Sequence, residues 1–125
     1  PDEPVFVFVP DDGTATLYIA VKRLKDHCYN RGMDWLCSAP LEKHNYQFIL
    51  KNGGVEPDRV AYYKRKLLGP VPIDPLILVD WGDGDFTVVD GNHRLCALYE
   101  LGAESFTFYL VPRRELNPFL IGDSQ

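Results

Sequence analysis

Five consecutive residues, Asp90-Gly91-Asn92-His93-Arg94, bring together the side chains of this chain best suited to chemistry. An apolar run precedes them and Leu95-Cys96-Ala97-Leu98 follows, so the pattern predicts a strand, a glycine turn and a helix capped by Asn92. Cations such as His93 and Arg94 oppose the positive end of a helix dipole. A bound anion would remove that conflict, because free N–H groups, an imidazole and a guanidinium would all face it. The turn therefore indicates a phosphate site, and the simpler alternative is an Asp-Gly turn with two solvated side chains.

Two residues, Asp90 within the turn and Arg59 outside it, could complete such a site. Asp90 is the nearest carboxylate and could hold Mg²⁺ or act as a base, since phosphoryl transfer usually needs a metal bridge. The alternative role of Asp90, which its position favours, is to orient the turn. Arg59 lies at the start of a predicted helix and could reach the same pocket, although an arginine there is more often simply solvated.

Other polar residues carry weaker signals. The candidates are Glu42 and His44 as a loop acid and base, Asp80, Asp83 and Asp85 as a cation-binding turn, and His27. Glu42 in a loop beside Lys43 is typical of surface charge, which also weakens the case for His44. The acidic turn lacks the spacing of a calcium-binding loop and favours a hairpin. His27 is expected to be structural. Two basic clusters could meet nucleic acid or an acidic partner, and a solvated face explains them equally well. They are Lys22, Arg23, Lys25 and Arg31, and Tyr62, Tyr63, Lys64, Arg65 and Lys66.

The composition predicts one small cytoplasmic domain over residues 1–125. The chain has 125 residues, of which 46% are apolar, enough for one core. Its net charge of −5 argues against a broad DNA-binding surface, which needs many cationic contacts with phosphates. No apolar run approaches the roughly 20 residues that span a bilayer, so no membrane contact is expected. Three cysteines without CxxC spacing favour buried thiols in a reducing compartment.

The periodicity of apolar residues predicts an α/β (α+β) fold, a mixed sheet with helices packed on it and an N-terminal β-hairpin. The expected strands are residues 5–9, 14–20, 46–50, 76–79, 86–89 and 106–111. The expected helices begin at Val21, Pro57 and His93, and they end at Gly32, Gly69-Pro70 and Gly102. Residues 33–44 are expected to form a loop or short helix. The tail after Pro112 is expected to be an irregular arm whose residues 119–121 fold back or meet a partner.

The stretch Val89-Asp90-Gly91-Asn92-His93-Arg94-Leu95-Cys96-Ala97-Leu98, followed by Leu101-Gly102, resembles the signature of the ParB/sulfiredoxin-like superfamily. Members of that superfamily often carry a D-G-x-H-R turn and an L-G helix end. The helix near residues 59–68, the proline-rich segment at 70–75 and the strand at 76–79 resemble its layout. The likeness covers about residues 55–111, so the N-terminal hairpin and first helix lie outside it.

This resemblance implies nucleotide or phosphate handling, with ATP or CTP and Mg²⁺ as the expected ligands. The backbone of Gly91, Asn92 and His93 would cradle phosphates, with Arg59 near them. Asp90, His93 and Arg94 would then be the catalytic residues of an NTP hydrolase or a phosphotransferase, as in the free serine kinases of the superfamily.

Other activities of the superfamily fit less well or remain open. Sulfiredoxins have a catalytic cysteine where this chain has Asn92, which argues against their chemistry. ParB-type partition proteins have an additional DNA-binding domain for which this chain is too short. Two alternatives stay open: a nuclease or DNA-associated module of phage or plasmid type, and a non-catalytic protein-interaction module.

Overall fold

The computed structural model describes residues 3–10, 13–42 and 55–122. Its strands are β1 (Val5–Phe8), β2 (Leu17–Ala20), β3 (Leu36–Pro40), β4 (Leu76–Gly82), β5 (Asp85–Asp90) and β6 (Ser105–Pro112). Its α-helices are α1 (Val21–Arg31), α2 (Pro57–Leu67) and α3 (Asn92–Glu100). Short 3₁₀ helices lie at Met33–Trp35, Arg113–Glu115 and Asn117–Phe119.

The strands form two sheets. β1 and β2 make an antiparallel hairpin, and the other strands make a four-stranded sheet in the order β3-β6-β4-β5. In the larger sheet β4 and β6 run parallel, with Leu76 opposite Phe108, while the β4–β5 and β3–β6 pairs are antiparallel. The parallel pair requires a crossover, and α3 provides it between β5 and β6. The predicted α/β class and mixed sheet are therefore confirmed.

Both faces of the larger sheet are covered, because alternate residues of its central strands point to opposite sides. One face packs against α1, the hairpin and the C-terminal tail, with a core that contains Leu24, Ile77, Val79, Val111 and Leu116. The other face packs against α2 and α3, with a core that contains Val60, Leu76, Leu78, Leu95 and Phe108. The sheet is thus the middle of three layers, and the turn at residues 90–94 lies where β5 leaves it.

The predicted hairpin, α1, α2, the β4–β5 hairpin, α3 and β6 are all present. The expectation of a loop or short helix at residues 33–44 is wrong in part. A 3₁₀ turn is followed by β3, which pairs with β6 at the sheet edge. β3 contains Ser38 and ends in Pro40, both weak strand formers, so its pattern gives little strand signal, and an edge position tolerates the proline. The strand predicted at residues 46–50 lies outside the described residues.

The C-terminal tail folds back onto the hairpin, which is one of the two outcomes expected for it. Leu116 is fully buried and Phe119 is 9% exposed. Ile121 N donates a hydrogen bond to Tyr18 O at 2.8 Å, and Leu120 forms a β-bridge with Ile19. The tail is therefore part of the core on the α1 face of the sheet.

Candidate functional site

The turn that begins α3 is built around Gly91. Gly91 has φ +112°, and a Cβ atom at this position would lie 2.6 Å from Leu76 Cγ and 3.2 Å from Arg94 Nη2. Both the backbone conformation and the packing therefore require glycine. Gly91 is also the N-cap residue, since its carbonyl accepts the Leu95 N–H at 2.8 Å. The prediction that Asn92 caps the helix is wrong, because Asn92 is its first residue and no side chain caps α3.

The Arg94 side chain points into the protein and is 5% exposed. Its Nη2 donates to Asp90 Oδ2 at 2.7 Å, and its Nη1 donates to the carbonyl of Asp74 at 3.0 Å. The Tyr29 hydroxyl is a further hydrogen-bond partner. Burial alone would lower the pKa of Arg94, but the charge and hydrogen bond of Asp90 raise it overall. Arg94 thus joins the end of β5 to the chain just before β4, and its donors are engaged there instead of facing an external anion.

Asp90 is held between two cations. Besides its 2.7 Å contact with Arg94, its Oδ2 lies 3.9 Å from Lys25 Nζ, and its side chain is 25% exposed. A carboxylate already compensated in this way is a poor ligand for Mg²⁺. The residues that the structure describes also contain no group of three or more His, Cys, Asp or Glu that could hold a metal ion. The geometry therefore favours the turn-orienting role of Asp90 over the metal role.

His93 joins the starts of two helices. Its Nε2 accepts a hydrogen bond at 3.0 Å from the backbone N–H of Glu56, the residue that precedes α2. Only a neutral imidazole has a ring nitrogen that can accept. Burial and then the positive charge of Arg59 lower the pKa of His93, against the opposing effect of Glu56. The imidazole is therefore neutral at pH 7 and tied to α2.

The starts of α2 and α3 consequently lie side by side and carry the positive ends of both helix dipoles. Neither start has a side-chain cap, and the first turn of α3 holds no acidic residue. The first N–H groups of α3 have no partner within that helix. At the start of α2, Pro57 has no N–H, and the Arg59 N–H donates to Glu56 O at 3.0 Å. Arg59, in the first turn of α2, is exposed and close enough to affect His93. Asp58 is the one acidic residue in the first turn of α2. This end of the molecule thus offers N–H donors and positive potential.

Asn92 adds one unsatisfied group at the same place. Its Oδ1 is buried, and no hydrogen-bond partner reaches it from the described residues. A buried acceptor without a partner costs about 1–3 kcal/mol, so native proteins usually supply a donor to it. A ligand hydroxyl, a ligand amine or water could be that donor.

Sequence reasoning did not connect Lys25 and Tyr29 with this site. They are one helical turn apart on α1, and Lys25 Nζ lies 5.7 Å from the centre of the Tyr29 ring. Burial and then the charge of Asp74 raise the pKa of Tyr29 to about 12, so its hydroxyl keeps its proton. The i, i+4 spacing indicated that Lys25 and Tyr29 share one face of α1. The sequence near these residues did not indicate that this face packs against the end of β5.

The weaker candidates from the sequence lie away from the turn at residues 90–94 or have partners within the protein. Glu42 lines an apolar cavity of about 320 Å³, none of whose lining residues belongs to the turn. His44 lies outside the described residues. Asp80 Oδ1 accepts the N–H of Gly82 at 2.9 Å, as expected of a hairpin turn. Several members of the two basic clusters contact carboxylates: Lys22 with Asp26, Arg23 with Glu3, Lys25 with Asp90, and Lys64 with Glu100.

Comparison with protein-family models, with curated proteins and with solved structures finds no match for this chain. Within the described ranges, none of the helices combines the length and the apolar character needed to cross a membrane.

Proposed function

We propose that this domain binds a nucleotide through its phosphates at the adjoining starts of α2 and α3. The observation that carries this proposal is the His93–Glu56 hydrogen bond, which brings two uncapped helix starts together. The first N–H groups of α3, the positive ends of both helix dipoles and the Arg59 side chain then lie at the same end of the molecule. The D-G-N-H-R turn and its resemblance to the ParB/sulfiredoxin-like superfamily support a nucleotide as the source of the phosphate.

The residues divide into ligand-facing and positioning groups. The backbone of Gly91, Asn92 and His93 donates to the phosphates, and Arg59 contributes its charge. Arg94 is a positioning residue in this proposal, because its guanidinium fixes Asp90 and the chain before β4. ATP or CTP fits this arrangement, with Mg²⁺ entering on the phosphates and not on Asp90. The buried Oδ1 of Asn92 favours a ligand that also offers a hydrogen-bond donor, and the hydroxyl and amino groups of a nucleotide can supply one.

Binding is better supported than catalysis. A phosphoryl-transfer site needs a base or water-positioning group and cations on the transferred phosphate. The carboxylate of Asp90 is compensated by Arg94 and Lys25, and the acceptor nitrogen of His93 is occupied by Glu56. Hydrolysis or transfer at this turn therefore requires His93 to exchange its partner. The cytoplasm is the compartment we propose, and the free state of Cys28, Cys37 and Cys96 supports it.

A protein-interaction module is the second candidate, and β1 is the observation that favours it. Val5 and Val7 are 42% and 51% exposed on a strand that belongs to a two-stranded sheet, and Val9, just after this strand, is 66% exposed. The tail is a weaker candidate for an interaction arm than the sequence indicated, because Phe119 is buried in the core of this chain. The nuclease alternative loses support because four members of the basic clusters contact carboxylates: Lys22, Arg23, Lys25 and Lys64.

Thermal unfolding with and without ligand tests the proposal. The melting temperature is measured against ATP, ADP, CTP, GTP and inorganic phosphate, each with and without Mg²⁺. A ligand at 100 times its Kd stabilises the folded state by about 2.7 kcal/mol. Arg59→Ala is expected to reduce the shift, and Arg65→Ala is its matched control. Both arginines are exposed residues of α2, but Arg65 lies in the last turn. No shift from any nucleotide at millimolar concentration would refute the proposal.

A further inference from the structure

The contact between His93 and Glu56 has a property that ordinary helix packing lacks. The donor is a backbone N–H at the start of α2, and the acceptor is a side chain in the first turn of α3. α2 has no side-chain cap hydrogen bond of its own, and the acceptor for the N–H of its N-cap residue, Glu56, is the His93 side chain of another helix. A group that titrates near neutral pH therefore holds the two helix starts together.

We propose that His93 is a pH-sensitive latch between α2 and α3, closed when the imidazole is neutral and open when it is protonated. Protonation turns Nε2 into a donor, and it would then face the N–H donor of Glu56. Two donors at 3.0 Å cannot form a hydrogen bond, so the contact breaks and the start of α2 is freed from α3. The latch does not depend on nucleotide binding.

Burial and the charges around the imidazole shift the pH range in which the latch responds. Arg59, on α2, disfavours a second positive charge, and Glu56, just before α2, favours it. On its own helix, the neighbouring Arg94 has its guanidinium turned to Asp90. Partial burial is the largest effect, and together with the charge of Arg59 it lowers the pKa of His93. The closed state therefore prevails at neutral pH, and acidification opens it.

Opening changes the surface at the helix starts in two ways. The N–H of Glu56 loses its acceptor and becomes available to solvent or to an anion. The imidazole becomes a cation with two donors beside the first turn of α3. A drop in pH thus converts a neutral contact between helices into additional positive charge and free donors at the same place.

Amide exchange of Glu56, measured by NMR on the ligand-free protein, tests the latch. With an open-state pKa near 6.5, the protection of this amide is expected to fall by up to about tenfold between pH 7.5 and 5.5. His93→Gln provides an acceptor oxygen that does not titrate, so this variant is expected to keep its protection across the range. His93→Phe removes the acceptor and is expected to lose protection at both pH values. His27→Gln is the control for a histidine outside the contact.

Three results would overturn the latch. The first is protection of the Glu56 amide that stays constant from pH 7.5 to 5.5 in the wild type. The second is a fall in His93→Gln as large as in the wild type. The third is a ¹⁵N shift of His93 Nε2 at pH 7.5 that is typical of a protonated ring nitrogen. Amides of β4 serve as the internal reference, because a uniform loss there would indicate global unfolding.

Discussion

Replacing Gly91 with alanine should destabilise the domain strongly, because two costs add at this position. The backbone has φ +112°, where an L-residue is strained by about 1–3 kcal/mol. The new methyl group would also lie 2.6 Å from Leu76 Cγ and 3.2 Å from Arg94 Nη2. Leu76 is buried in the core and cannot move freely, so overpacking adds about 1–3 kcal/mol. We therefore expect Gly91→Ala to lower the free energy of unfolding by roughly 2–6 kcal/mol.

Gly82→Ala is the matched control for this prediction. Gly82 has φ +101°, but a Cβ atom there would meet nothing within 4 Å. Gly82→Ala should therefore lower the free energy of unfolding only by the backbone strain, about 1–3 kcal/mol. Urea unfolding of both variants, followed by circular dichroism, measures the difference. If Gly91→Ala proved no more destabilising than Gly82→Ala, the close packing of the turn against Leu76 would be refuted.

Three further predictions concern the charged and thiol groups. Arg94→Met leaves Asp90 without its main partner and should lower the free energy of unfolding by about 2–4 kcal/mol. This is somewhat less than the roughly 3–5 kcal/mol for a fully buried pair, because Asp90 is 25% exposed. A loss below about 1 kcal/mol in urea unfolding would contradict the prediction. The folded-state pKa of His93 is lowered, so its contribution to stability is fully present above pH 6.5 and lost as the pH falls below that value towards the folded-state pKa. Wild-type stability measured from pH 7.5 to 5 should therefore fall more than that of His93→Gln, and equal slopes would count against the assignment. Burial raises the pKa of Cys28 to about 12, and Cys96 is also buried. A thiol reagent at pH 8 should therefore modify Cys37 rapidly in the folded protein and all three thiols after unfolding. Rapid modification of Cys28 in the folded protein would show that the core between α1 and the sheet opens to solvent.

Local patterns in the sequence predicted most of the fold. Apolar spacing, prolines and glycines located α1, α2, α3 and the β4–β5 hairpin within a few residues, because each carries its own start and stop signals. β3 was missed because its strand character depends on pairing with β6, about 70 residues away in sequence. Such a long-range pairing produces no recognisable sequence pattern in a short segment of mostly small residues.

The turn at residues 90–94 lies where the sequence predicts it, between β5 and α3, but its side chains point elsewhere than expected. The sequence located the glycine turn and the start of α3, and the structure adds that Gly91 has a positive φ. It indicated that His93 and Arg94 face a ligand, whereas the structure turns Arg94 to Asp90 and His93 to Glu56. Both partners are fixed by tertiary packing that a local pattern cannot report. The unfavourable dipole position of the two side chains, read as a sign of a bound anion, is explained within the protein by these contacts.

The most direct test of the proposed function is a ¹H–¹⁵N NMR titration with ATP and with CTP, each with Mg²⁺. We predict that the largest amide shifts fall on Gly91, Asn92 and His93, whose N–H groups would contact the phosphates. Arg59→Ala should weaken the binding, and Arg65→Ala should leave it unchanged. Amide shifts confined to other parts of the domain, or none at millimolar nucleotide, would contradict a phosphate site at the start of α3.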